Sequence, residues 1–141
     1  MHNGVPVKDV KELVTLAKAQ PGGLTYASAS NGSGPHMAAE MFKSATSVHV
    51  PHIPYRGLAI TDLVAGRVTM MFIPPALGLP FVRDGKRRAL AVTSAKRSTA
   101  LAELPTIAES GYAAFDYTGW YGLFAHRRVT PLLVRGPGSA V

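Results

Sequence analysis

Four times along this chain a short apolar or alternating run meets a run with helical spacing. No other feature narrows the possible folds so far. The strand-like runs are LTYASA (residues 24–29), VHVPHIPY (48–55), RVTMMFI (67–73) and RALAVTS (88–94). Helical periodicity covers residues 9–20, 35–44, 58–66 and 76–85. Strands separated by helices imply right-handed crossovers, and hence an α/β fold: a mostly parallel sheet with helices on both faces.

Local chemistry agrees with these assignments. In the first helix Val10, Leu13, Val14, Leu16 and Ala17 recur at helical spacing, Asp9 with Glu12 resembles a capping box, and Pro21-Gly22-Gly23 stops it. Pro35 suits the first turn of the second helix, where Met37, Ala38, Met41 and Phe42 are expected to face inward. Pro51 and Pro54 suit an edge strand. Residues 76–85 form a weaker helix interrupted by Pro80, and residues 88–94 read as a strand buried on both faces. Beyond Ser94 the rhythm stops. A short helix is expected over residues 106–110, one aromatic-rich strand over 115–125 carrying Trp120 and Tyr121, and a loosely ordered tail over 126–141.

At 141 residues, 47% hydrophobic and 16% charged, the composition is that of one globular domain. No apolar run approaches the roughly 18 residues that cross a bilayer. The start, MHNGVPVKDV, has no apolar core of a secretory signal, so a natural start at Met1 would leave the chain in the cytoplasm. Without cysteine there is no disulfide or thiolate chemistry. The net charge of +7 is concentrated: residues 83–97 hold six basic residues and one acid, and the tail adds Arg127, Arg128 and Arg135. Basic residues bunched at a turn and in a tail, without interleaved aromatics, argue against nucleic acid as a partner.

In a parallel sheet the carboxyl ends of the strands share one edge, and ligands bind there. That edge collects residues 28–34, then Tyr55, Arg56 and Gly57, then residues 73–76, then Thr93 and Ser94. It offers the hydroxyls of Ser28, Ser30 and Ser33, the Asn31 amide, backbone donors around Gly32 and Gly34, His36 one position into a helix, and the fixed cation Arg56. Every one of these can donate to a negatively charged oxygen. No carboxylate sits among them, which is the profile of a carboxylate or phosphate receiver. Each also has a plainer reading: the loop as a simple turn, His36 bonded to a nearby carbonyl, Tyr55 packed against its neighbours, Arg56 solvated.

Catalytic patterns fail on the same stretch. No lysine follows Gly34, as a P-loop requires, and Met37 stands where a dinucleotide fingerprint needs a small residue. Ser33 has Asn31 and Pro35 at the positions where a nucleophile elbow has glycines. Ser33 and His36 could pair, but no acid is placed to orient the histidine. His49 and His52 point to opposite strand faces, and His2, His36 and His126 are isolated, so no metal site is expected. Neither catalysis nor a cofactor is expected.

The order of motifs resembles the Bug-type solute-binding proteins, the substrate-binding components of tripartite tricarboxylate transporters. The likeness runs through residues 5–125, in VKELVTLAKAQPGGLTYASASNGSGPHMAAEMF, VHVPHIPYRGLAITDLVAGRVTMMF, GKRRALAVTSAKRSTALAELPTIAESGY and FDYTGWYGLFA. Its most specific pieces are the Gly-Ser-Gly-x-His loop, the Pro-Tyr-Arg-Gly turn and RALAVTSAKRS…LPTIAESG. The resemblance implies one lobe, the second, of a type II periplasmic binding fold that closes on small organic acids without chemistry. Residues 28–36 and the turn at Tyr55, Arg56 and Gly57 would then hold a mono- or dicarboxylate, in the periplasm, for membrane transporter subunits. The family's first lobe would precede Met1, and residues 126–141 do not resemble the family's return into that lobe. Many members carry Asp-Asn after the Met-Phe strand, where Ile73-Pro74-Pro75 stand here, which favours plain acids over amino acids. A lobe without its partner exposes apolar surface, so a homodimer is expected. The competing expectations are a truncated, self-associating remnant that binds no ligand, and a basic nucleic-acid-binding module.

Overall fold

The computed structural model describes residues 1–57 and 59–120. Helix α1 (Val10–Ala19) starts where Asp9 accepts from the Glu12 amide at 2.8 Å, while the Glu12 carboxylate reaches back to the Lys8 amide at 2.7 Å. One donor of the first turn, and the amide just before the cap, are thereby satisfied from one short segment. Strand β1 (Tyr26–Ser28) follows, then α2 (Gly34–Thr46), β2 (His52–Pro54), α3 (Ile60–Val64), β3 (Met70–Met71) and α4 (Pro75–Arg83). The sheet has the order β2-β1-β3, and both pairings are parallel, with Tyr26 opposite His52 and Met70.

Successive residues of β1 serve opposite faces. Tyr26 joins a core with Val10, Leu13, Val14 and Ala17 of α1, and Phe42 of α2. Ala27 joins Ala59, Leu63 and Val68 on the other side. Helices α1 and α2 therefore cover one face and α3 the other, as the α/β reading requires. The central strand is buried at all three positions. Pro54 is accommodated because β2 lies at an edge: Tyr55 donates to the Ser28 carbonyl at 3.0 Å, so its neighbour's nitrogen faces away from β1.

The structure corrects several expectations. The buried stripe of α2 is Ala38, Ala39, Phe42 and Thr46, while Met37 and Met41 are 48% and 39% exposed. The helical phase places the two methionines toward the flank of the stripe, and the sequence pattern alone could not separate flank from face. Residues 88–94 form no strand: Val92 makes one isolated parallel bridge to Thr106, and residues 89–94 are half-buried. Residues 106–110 make turns rather than a helix. There Thr106 Oγ1 accepts from the Glu109 amide and the Glu109 carboxylate accepts from the Thr106 amide, both at 2.9 Å. Gly111, at φ +109°, breaks the chain away before a helix can propagate. A single 3-10 turn, Thr99–Leu101, lies upstream. Residues 115–120 are not a strand, and Trp120 is 78% exposed. The remainder of that expected strand, Tyr121 included, and the tail lie outside the described residues.

Candidate functional site

The residues expected to receive an anion fall at the carboxyl ends of β1 and β2. Ser28 closes β1 with no exposed surface. Its hydroxyl donates to the Ser30 carbonyl at 2.9 Å and meets His52 Nε2 at 2.6 Å. The same carbonyl accepts from the Ser33 hydroxyl at 2.7 Å and the Ser33 amide at 3.3 Å. Three donors thus turn the Ser30 oxygen inward. The peptide bonds here are all trans, so the Asn31 N–H on that same peptide points the opposite way.

Ser33 precedes α2 but does not cap it, because its hydroxyl is spent on Ser30. Among the described residues no protein acceptor takes the amides of Ser30, Asn31, Gly34 or His36, whereas Met37 donates to the Ser33 carbonyl at 2.9 Å. The helix start keeps open donors, which attract anions. The Gly32 amide is different: it donates to His36 Nδ1 at 3.0 Å. Gly32 sits at φ +74°, left-handed backbone that suits glycine.

The second turn is tied to the first. Tyr55 donates to Ser28, and Gly57 to the Ala29 carbonyl, each at 3.0 Å, with Gly57 at φ +120°. The structure therefore brings residues 28–36 beside Tyr55, Arg56 and Gly57, and spends the Tyr55 and Gly57 amides in doing so. Arg56 is exposed and has no ion-pair partner among the described residues. The neighbouring Asp62 carboxyl raises the pKa of the Tyr55 phenol, and its own pKa is lowered in turn; Asp62 accepts from Arg67 at 2.9 Å. At the far end of the edge, Ser94 donates to the Lys96 carbonyl at 2.7 Å and Thr93 accepts from the Tyr117 amide at 2.8 Å.

Sequence reasoning missed the layer beneath the loop. Tyr26, His52, Glu40 and Lys43 lie there, and His52 stacks on both Tyr26 and His36. Strand alternation offered a signal, since residues 26, 28 and 52 share one sheet face once β1 and β2 pair in register. Tyr117 was missed too. Its hydroxyl lies 3.1 Å from where a side chain at Gly34 would begin, so glycine there lets it approach the loop. Among the described residues no group of three or more His, Asp or Glu side chains could hold a metal ion. Within the basic stretch Lys86 pairs with Asp84 at 3.2 Å, Arg97 pairs with Glu109 at 2.9 Å, and Arg87 is half-buried.

A three-stranded parallel sheet with helices on both faces and open amides at the strand ends is an α/β architecture, and the solved structures it superposes on include a periplasmic binding protein. The chain belongs to the tripartite tricarboxylate transporter receptor family, whose model matches residues 1–141. It is 40% identical over 121 residues to the UPF0065 protein of the tcbD-tcbE intergenic region of Pseudomonas sp. strain P51, covering 84% of this chain and 36% of that protein. Its fold superposes on R. palustris Rpa4515, solved with adipate, with a TM-score of 0.79 and 37% identity over 82% of this chain and 39% of the other. The periplasmic binding protein BugD gives a TM-score of 0.77 and 33% identity, again covering 82% of this chain and 39% of that one. The chain thus spans between 36% and 39% of the length of these relatives.

Proposed function

We propose that this chain binds small organic carboxylates, without catalysis, as part of a transport receptor. Residues 1–125 act as its second lobe. One observation carries the reading: the Asn31, Gly34 and His36 amides have no protein acceptor among the described residues and belong to the loop that is hydrogen-bonded to the turn of Arg56. Backbone donors at a helix start, joined by a guanidinium, suit a carboxylate in charge and geometry. The family's receptor description and the adipate in Rpa4515 support the same ligand class. Residues 28–36 and 55–57 contain no acid, and Asp62 is paired with Arg67 at 2.9 Å; plain mono- and dicarboxylates are therefore favoured over amino acids. The compartment is the periplasm and the partners are the membrane subunits of the transporter, as for a receptor of this family.

Calorimetric titration of the chain with adipate, succinate and aspartate tests the proposal. Adipate or succinate should bind more tightly than aspartate, and Arg56→Ala should weaken binding roughly tenfold, the size of one charge-assisted hydrogen bond. No heat with any of the three acids, or a preference for aspartate, would overturn it. Self-association is a second property favoured by a specific observation, the 78% exposure of Trp120 together with exposed Met37 and Met41. Light scattering should find a dimer at micromolar concentration, and a monomer there would remove it.

A further inference from the structure

Two stacked imidazoles lie beneath the loop. His36 of α2 and His52 of β2 have ring centroids 4.3 Å apart and planes 18° from parallel, and Tyr26 of β1 stacks on His52 at 4.7 Å. The groups facing His36 are therefore Tyr26 from β1, His52 from β2, and Glu40 and Lys43 from its own helix. His36 Nε2 stands 3.8 Å from Glu40 Oε1, and that oxygen also accepts from Tyr26 at 2.5 Å and Lys43 at 2.7 Å.

The hydrogen bonds assign the protons. Ser28 has one hydroxyl proton, given to the Ser30 carbonyl, so toward His52 it can only accept, and His52 Nε2 carries a proton. His36 is the reverse case. Its Nδ1 accepts from the Gly32 amide, so that nitrogen is bare and the neutral ring holds its proton on Nε2, the side of Glu40. A proton added to His36 Nδ1 would set donor against donor and expel the Gly32 amide. Like charges stacked this closely oppose each other, so the pair takes up one proton before the other. Burial first, and the neighbouring His36 second, disfavour charge on His52, while Glu40 stands beside His36.

We propose that His36 is a positioning residue that couples proton uptake to the anion loop. Neutral, it latches the Gly32 amide to its own ring; protonated on Nδ1, it releases that amide to a bound carboxylate and sets a positive charge beneath it. This rests on the carboxylate reading. By linkage, protonating His36 raises carboxylate affinity, and a bound carboxylate favours the protonated ring.

The test has two arms. In the ligand-free chain, nuclear magnetic resonance from pH 8 to pH 5.5 follows the Gly32 amide and the His36 ring nitrogens. The Gly32 resonance should move together with those of the His36 ring nitrogens. In His36→Gln, whose amide oxygen can accept the same bond without titrating, it should stay flat. In the second arm, adipate titrated at pH 8 and pH 6 should bind the native chain roughly tenfold more tightly at the lower pH, about the worth of one charge-assisted contact, and His36→Gln with little change. A Gly32 resonance indifferent to His36, or the same pH dependence in the variant, overturns the latch. A Gly32 resonance that follows His36 while adipate never binds leaves the latch standing and removes the carboxylate reading instead.

Discussion

The segments before and after residue 72 carry the same strand–helix rhythm, yet only the first closes into a sheet. In the first, β1 is buried at every position, and α1 and α2 each bury four side chains. In the second, α4 buries none and residues 88–94 make a single bridge. A cavity of about 380 Å³ is lined by Met70 and Phe72 from the first and by Leu79, Val82 and Leu90 from the second. The contrast shows that an apolar β-branched run supplies the side chains of a strand but not its ladder. Without a neighbour on each side, its backbone groups find no regular partners and its side chains stay half-buried.

Four substitutions test how far the two halves differ. The largest effect is expected from Phe42→Ala. Phe42 is 2% exposed in the core shared by α1, α2 and β1, and truncation should cost about 3–5 kcal/mol in chemical denaturation. A loss below 1 kcal/mol would mean that the first half is as loosely packed as the second. Next comes Ser28→Ala, which leaves the His52 Nε2–H without its buried acceptor and should cost about 1–3 kcal/mol. The same variant should loosen residues 30–33, visible as faster amide exchange there.

A smaller, pH-dependent effect is expected at Glu40. Hydrogen bonds from Lys43, and then from Tyr26, hold its carboxyl below the ordinary value. A depressed carboxyl contributes stability above its unfolded pKa and loses it as pH falls through the folded one. Because its side chain is 41% exposed, the contribution is screened to below about 1 kcal/mol. Melting temperatures of native chain and Glu40→Gln should therefore differ at pH 6, with the gap shrinking as the pH is lowered below the ordinary carboxyl range; a constant gap would show that the ionised carboxylate is not what matters. The smallest effect belongs to the second half. Leu77→Ala on α4, where Leu77 is 42% exposed, should change stability by less than about 0.5 kcal/mol. A loss comparable to that of Phe42→Ala would mean that this helix is buried in solution.

Much of the first half was legible because its signals are local and mutually consistent. Asp9 and Glu12 marked the start of α1, Pro35 the first turn of α2, and Pro54 the edge strand. The candidate loop was legible for the same reason: glycines, small hydroxyls and a helix start are written in adjacent residues. Its supporting layer was not. His52 lies far from Ser28 in sequence and meets it only through the pairing of β1 with β2. Glu40 reads as an ordinary helix-surface acid until Tyr26, Lys43 and His36 gather round it. The failures after residue 72 share one cause. RALAVTS has strand chemistry, and residues 106–110 have a capping pair, but propagation needs partners that propensity cannot supply.

Local sequence chemistry settles which segments turn, which can coil, and where hydrogen-bond donors gather, because φ preferences, caps and short-range periodicity act over a few residues. Which of those donors stay open depends on long-range contacts. The Gly32 amide is taken by His36, the Tyr55 and Gly57 amides by β1 and the residue after it, and the Asn31, Gly34 and His36 amides find no protein acceptor among the described residues. A hydrogen-bond donor is free or spent according to what long-range pairing brings within about 3 Å of it, and that distance is set by the fold.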